Sequence, residues 1–253
     1  MNTREYFDDL ERASSKHDSY FFAYDRIFER YQRPSDRKLT LVEVGVQNGG
    51  SLHWWRKILG EEARIIGIDL NPEVKVLEKE GFEIYIGSQS DVNFWERFFA
   101  EVGSVDILVD DGGHTDFQQL VTFFSSIDYI RDGGLLITED VHTSYMPMFG
   151  NPSNFSFVSF AKLVVDAVMS RSSMVQCLVG KIIAHQVWNV DFYESIVVFN
   201  IDRRKCILSQ PIIAEGESFT SAEYRYEDNS ISKINVLTEL SNYFRQVKKL
   251  TLK

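Results

Sequence analysis

From residue 39 to residue 140, short apolar runs ending in polar or acidic residues alternate with stretches whose apolar residues recur at helical spacing. The first run is Leu39–Val46, LTLVEVGV, interrupted by Glu43. Gln47-Asn48-Gly49-Gly50-Ser51 then makes a glycine turn, and LHWWRKIL opens a helix. Arg64–Leu70, RIIGIDL, is the second run and carries Asp69 near its end. Phe82–Ile86 is a short third, followed by Gly87-Ser88-Gln89-Ser90-Asp91 and the helical FWERFFAEV. VDILVDD at 105–111 is the fourth run, and FQQLVTFFSSIDYI after it has helical spacing. Arg131-Asp132-Gly133-Gly134 breaks that helix, and LLIT leads into Glu139-Asp140. Runs apolar on both faces, joined by helical crossovers, predict a buried parallel sheet and an α/β fold.

The flanks differ. Residues 1–37 are polar and aromatic, with helical runs such as EYFDDLERA and YFFAYDRIFERY, and predict a helical N-terminal extension or lid. Beyond the fifth run, MPMFGNPSN reads as loop and SFVSFAKLVVDAVM as an amphipathic helix. Ile182–Val190 and Ser195–Ile201 predict an antiparallel strand pair joined around Asp191-Phe192-Tyr193. Asn229–Lys253 has helical spacing with a basic end. The economical organisation is a single domain over 1–253: an extension at 1–37, a core at 38–201 and a C-terminal helical extension at 202–253.

Candidate chemistry concentrates where the fourth and fifth runs end, in Asp110-Asp111 and Glu139-Asp140, with His114 three residues past the first pair. Ligands of open parallel sheets bind beyond the carboxyl ends of the strands. Four acids converging there resist full ionisation unless a cation joins them. Oxygen ligands without a thiolate favour a hard ion such as magnesium. Read singly, each acid serves as well as a cap of a helix or turn; the constellation is what points to chemistry. Glu43, inside an apolar strand, needs a partner. Asp69 suits chelation of ribose hydroxyls, or else the N-cap of the helix that Asn71-Pro72 introduces, and the sequence leaves both open. Gln89 is either a contact to an adenine edge or a solvated loop residue. Lys16, His17, Tyr20 and Tyr24 form either a lid over a cofactor or a helix packed on the core. The glycine turn lacks the G-x-G-x-x-G spacing of dinucleotide binders, against a nicotinamide oxidoreductase. The spacing offers no triad of two histidines and a carboxylate for an iron hydroxylase.

Charge and cysteines narrow the partners. A formal net charge of −10 over 253 residues argues against nucleic acid. No leading basic and apolar region and no bilayer-length apolar run predict a protein without a membrane, and Cys177 and Cys206, lacking metal or redox spacing, suit a reducing cytoplasm. Aromatics at 13% supply core, cleft or the interface of a homo-oligomer.

VEVGVQNGG followed by IIGIDL resembles the cofactor turn and ribose-binding acid of Rossmann-like S-adenosylmethionine-dependent methyltransferases. KHDSYFFAY at 16–24, GSQSD at 87–91, DDGGH at 110–114 and GGLLITEDVHTSY at 133–145 resemble the metal-dependent sugar O-methyltransferases of the macrocin and mycinamicin type, over about residues 14–200. The resemblance implies a seven-stranded sheet, mostly parallel with an antiparallel C-terminal strand and helices on both faces. It implies S-adenosyl-L-methionine and Mg2+ as cofactors, with Asp111, Glu139 and Asp140 on the metal. His114 is then the general base for a sugar hydroxyl, with His142 a second candidate. Asp69 binds the cofactor ribose; Glu43, Gly45 and Ser51 line its methionine side; Gln89 lies near adenine, and Asp110 counts with the cofactor-binding group. The acceptor is a sugar, a nucleotide sugar or a glycosylated small molecule, a catechol-like or other natural-product hydroxyl being the alternative. Ser88 departs from the pattern, standing where an acid is expected.

Overall fold

The computed structural model describes residues 2–31, 34, 36–149, 156–172, 181–214 and 216, with the backbone alone at 181 and 182. The chain divides into a unit Met1–Ser209 and a unit Gln210–Lys253. Cys177, Asn229–Lys253 and most of the expected C-terminal extension lie outside the described residues.

The elements run α1 (Thr3–Asp8), α2 (Asp18–Arg30), β1 (Thr40–Val44), α3 (Gly50–Leu59), β2 (Arg64–Asp69), β3 (Glu83–Ile86), α4 (Val92–Val102) and β4 (Val105–Asp110). There follow α5 (Asp116–Ser126), β5 (Ile130–Thr138), α6 (Phe157–Met169), α7 (Lys181–Ala184), β6 (Val187–Tyr193) and β7 (Ile196–Ile201). A 3-10 helix at Pro72–Glu80 links β2 to β3. The seven strands order as β3-β2-β1-β4-β5-β7-β6. β1 to β5 are parallel, and β7 runs antiparallel between β5 and β6. The expected Rossmann-like sheet is the one observed.

Alternation along each strand sorts the core into two faces. Leu41, Ile107, Val109 and Ile137 pack with Tyr20 and Tyr24 of α2 and Trp54 and Trp55 of α3. Val42, Val44, Leu108 and Leu136 pack on the other face with Trp95, Phe98, Phe99 and Phe123 of α4 and α5. Each such buried side chain contributes about 1.5–3 kcal/mol relative to exposure. Among the described residues no helix is long and apolar enough to cross a membrane.

Three element boundaries differ from expectation. β5 starts at Ile130 and runs through the glycine pair, because a register shift against β4 between Val105 and Ile107 absorbs the extra residues. The stretch 182–190 is not one strand: α7 ends at Ala184 and β6 begins at Val187. Asp191-Phe192-Tyr193 belongs to β6 and pairs with Ile196–Val198, so the turn is Glu194-Ser195, with Ser195 at φ +60°. An edge strand tolerates polar residues on its open side, which is what made Asp191 read as turn.

Candidate active site

The order of strands reverses between β1 and β4, and the candidate residues gather at the carboxyl ends there and on β5. Backbone bonds lock neighbouring tips together: Gly45 N–H to Ile68 O (2.9 Å), Asp111 N–H to Val44 O (3.0 Å) and Glu139 N–H to Asp110 O (2.9 Å). Gly45 has φ +90°, and a Cβ there would stand 2.1 Å from the Asp111 carbonyl oxygen, so the turn after β1 and the loop after β4 touch through glycine alone.

The four acids do not all converge. Asp110 turns away into the protein, where its Oδ1 accepts from Gln89 Nε2 (2.9 Å) and from Gly112 N–H (3.3 Å). Its Oδ2 is buried without a hydrogen-bond partner among the described residues, and burial raises its pKa. Gln89 is committed to the same loop: Nε2 also donates to Thr122 Oγ1 (3.1 Å), and Oε1 accepts from Gly113 N–H (2.7 Å). It is buried and holds DDGGH in shape instead of offering a free amide edge.

Asp111, Glu139 and Asp140 do face one region, and residues of the N-terminal extension meet them there. Lys16 Nζ donates to Glu139 Oε2 (2.7 Å) and to Asp111 Oδ2. Tyr24 of α2 donates to Glu139 Oε1, and Tyr20 donates to Asp140 Oδ1. The spacing of Tyr20 and Tyr24 sets both hydroxyls on one face of α2. Burial raises Glu139 to about 8, with Asp111 pushing the same way and Lys16 opposing. Burial alone would lower Lys16, but Asp111, Glu139 and Glu43 outweigh it and the pKa goes up. The ammonium is therefore charged throughout the neutral range and donates to both carboxyls. These contacts place Lys16, Tyr20 and Tyr24 against the acid cluster. The signal in the sequence was their spacing in KHDSYFFAY, which had no stated partner.

Three histidines surround Asp140. His114 Nε2 lies 3.5 Å from Oδ2, while His17 Nε2 and His142 Nδ1 each lie 3.9 Å from Oδ1. His142 Nδ1 is also hydrogen-bonded to Ser195 Oγ. Thr143 Oγ1 donates to the His114 carbonyl (2.8 Å), tying the two acid-bearing loops together. Asp140 (φ +53°) and His114 (φ +58°) both adopt the left-handed conformation, a strain that non-glycine residues accept mainly where a site requires it. Among the described residues, Asp111, His114 and Asp140 bring ligand atoms within 4.8 Å of one another, and so do His17, Asp140 and His142. The second group is the pairing of two histidines with a carboxylate that sequence spacing had not offered.

On the β1–β2 side, Glu43 is fully buried and partnered by Ser51 Oγ (2.7 Å) and Trp55 Nε1 (2.9 Å). Burial raises it to about 7. Asp69 Oδ2 accepts from the N–H groups of Val46 (2.9 Å) and Gln47 (3.0 Å). The N-cap of the following 3-10 helix is Asn71, whose side chain accepts from Glu73 N–H (3.0 Å), so of the two roles left open for Asp69 the cap is taken. A cavity of about 220 Å³ lies between the halves, lined by residues 13–17, Gly45–Gln47, Ser51, Asp111, His114, Glu139 and Asp140. A larger one of about 1110 Å³ lies at the opposite ends of the strands, by Asp106 and Asp132, away from all of these residues.

The donor chemistry fits both groups the sequence suggests. Asp111 and Glu139 already share a cation, the Lys16 ammonium, so their oxygens converge on a position suited to a metal ion. The turn at Gly45–Gln47, with the Asp69 carboxylate behind it, is the kind of backbone cradle a nucleoside cofactor approaches closely.

Residues 42–141 match a family model described as a methyltransferase domain. The chain is 34% identical over 154 residues to the 8-demethyl-8-(2-methoxy-alpha-L-rhamnosyl)-tetracenomycin-C 3'-O-methyltransferase of Streptomyces olivaceus, covering 56% of this chain and 39% of that one. It is 31% identical over 157 residues to the mycinamicin VI 2''-O-methyltransferase of Micromonospora griseorubida, covering 57% and 38%. Those matches span about two fifths of the length of each relative. Among solved structures, the MycE methyltransferase from the mycinamycin biosynthetic pathway, in complex with Mg and SAH, superposes with a TM-score of 0.68 at 23% identity, over 80% of this chain and 55% of that one. Residues 42–141 are thus similar to the methyltransferase-domain family, and the sheet has the fold and strand order of a Rossmann-like methyltransferase.

Proposed function

We propose that the chain is an S-adenosylmethionine-dependent O-methyltransferase that acts on a sugar hydroxyl of a glycosylated small molecule, with a divalent cation, magnesium, and His114 as general base. One observation carries the reading: Asp111, Glu139 and Asp140 meet His114 at the tips of adjacent parallel strands, beside a glycine turn. The rhamnosyl and mycinamicin substrates in the relatives' names, and the Mg and SAH of the structural neighbour, support it.

S-adenosylmethionine supplies the methyl group, and the cation supplies positive charge that polarises the acceptor hydroxyl. Asp69 would hold the ribose, with Gly45 and Ser51 on the methionine side and Glu43 fixing Ser51. Gln89 and Asp110 act through the loop they brace. Asp111, Glu139 and Asp140 would hold the cation. His114 takes the hydroxyl proton at Nε2, which faces the Asp140 carboxylate at 3.5 Å. His142, fixed by Ser195, orients the acceptor.

The test is methyl transfer from labelled S-adenosylmethionine to rhamnosylated and macrolide-glycoside acceptors beside a catechol panel. Sugar acceptors should be methylated. His114→Ala should lose about 10²–10⁴-fold in turnover while still binding S-adenosylmethionine by calorimetry. Turnover on catechols alone would replace the sugar assignment, and a fully active His114→Ala would remove the base.

A further inference from the structure

The acid cluster holds a positive charge of the protein's own. Lys16 Nζ bridges Asp111 Oδ2 and Glu139 Oε2, its side chain only 1% exposed, and Tyr24 occupies the other oxygen of Glu139. A divalent ion on those carboxylates would bind at about 2.0–2.6 Å from the oxygens that Lys16 now uses. The ammonium would then stand within about 3 Å of it, and two cations at that distance in a water-poor site repel strongly. Glu139 has no oxygen left without a partner for the ion to take, since Lys16 uses Oε2 and Tyr24 donates to Oε1.

We propose that Lys16 is a resident counter-ion that a divalent ion displaces, so that ammonium and metal are alternative occupants of the Asp111–Glu139 pair. The inference rests on the reading of Asp111, Glu139 and Asp140 as the cation site. It has a structural corollary. Lys16 ends a strap whose upstream anchors are separate: Asp9 is held by Lys57 Nζ (2.7 Å to its carbonyl oxygen), and Arg12 pairs with Glu80. The strap sits on the start of α3 so closely that a Cβ at Gly50 would stand 2.5 Å from the Ala13 carbonyl oxygen. Displacing Lys16 frees only the end at the site, residues 15–17, which line the cavity beside Gly45–Gln47.

Mn²⁺ titration of the full chain, followed by electron paramagnetic resonance, tests the exclusion. Lys16→Met should bind Mn²⁺ at least about tenfold more tightly than the wild type, since the competing charge is gone. Lys16→Arg, which keeps it, should bind no more tightly than the wild type. If the wild type binds Mn²⁺ and Lys16→Met binds it equally or more weakly, the two cations coexist; the inference then falls while the cation site stands. Mn²⁺ bound by neither protein overturns both. Lysine footprinting of the wild type with an acylating reagent, read by mass spectrometry, provides an arm that needs no variant. Saturating Mn²⁺ should speed modification of Lys16, whose side chain is only 1% exposed, and unchanged modification there overturns displacement.

Discussion

Glu43 shows what one buried carboxyl can do to a whole stability profile. It stands in a strand between apolar neighbours, with Ser51 and Trp55 as its hydrogen-bond partners. Its pKa is raised from 4.5 to about 7, burial being the main cause. A raised carboxyl pKa means that the folded state holds a proton the unfolded state has released. Stability is therefore lost as pH climbs from about 4.5 through about 7. Glu43→Gln keeps an acceptor for the Trp55 N–H and a donor for the Ser51 hydroxyl but cannot ionise. Denaturant unfolding from pH 5 to pH 8 should show the variant gaining on the wild type by on the order of 1–3 kcal/mol over that window. A constant difference would mean that Glu43 titrates normally. At this scale the sequence was informative about need and silent about supply. A carboxylate inside LTLVEVGV announced that it required a partner, but Trp55 and Ser51 reach it only once α3 is laid against β1.

The same contrast holds for elements. Strands and crossover helices were legible because parallel strands buried on both faces leave continuous apolar runs. The β6 boundary was not, since an edge strand can carry Asp191 without penalty. Nor was the approach of α2 to the tips of β4 and β5, which is decided by packing of Tyr20 and Tyr24 against distant residues. Gln89 and Asp110 were read as ligand contacts from their places after β3 and on β4, whereas their side chains brace the loop at Gly112 and Gly113. The 3-10 helix after β2 separates two roles that the sequence had left fused. Asn71→Ala should cost about 1 kcal/mol of stability by removing the cap on Glu73 N–H, with cofactor affinity intact. Asp69→Ala should weaken S-adenosylmethionine binding by about 1.5–3 kcal/mol through the lost ribose bond. Calorimetry beside thermal melts of both variants checks this, and equal affinities would leave Asp69 as a turn fastener alone.

Across the whole molecule, the sheet sets the glycine turn and Asp69 on β1 and β2, and the acids of the cation cluster on β4 and β5. At the strand tips the two halves touch through backbone, Gly45 against Asp111, and among the described residues no hydrogen bond joins Asp69 to the cluster. Thorough chelation should therefore abolish methyl transfer and leave S-adenosylmethionine binding within a few-fold of its value, magnesium restoring turnover. Full turnover after chelation would take the metal out of the reaction. The strand order also bears on how the chain is made. β5 carries Glu139 and Asp140 at its tip, yet its outer neighbour is β7, the last strand of the sheet to leave the ribosome. Until Ile196–Ile201 emerges and pairs with it, β5 presents an unpaired edge, and Val141 lacks the bond its N–H makes to the Ser195 carbonyl (3.1 Å). The strand that carries Glu139 and Asp140 at its tip is thus completed late in synthesis, and a nascent chain stalled short of residue 196 lacks the strand that covers the outer edge of β5.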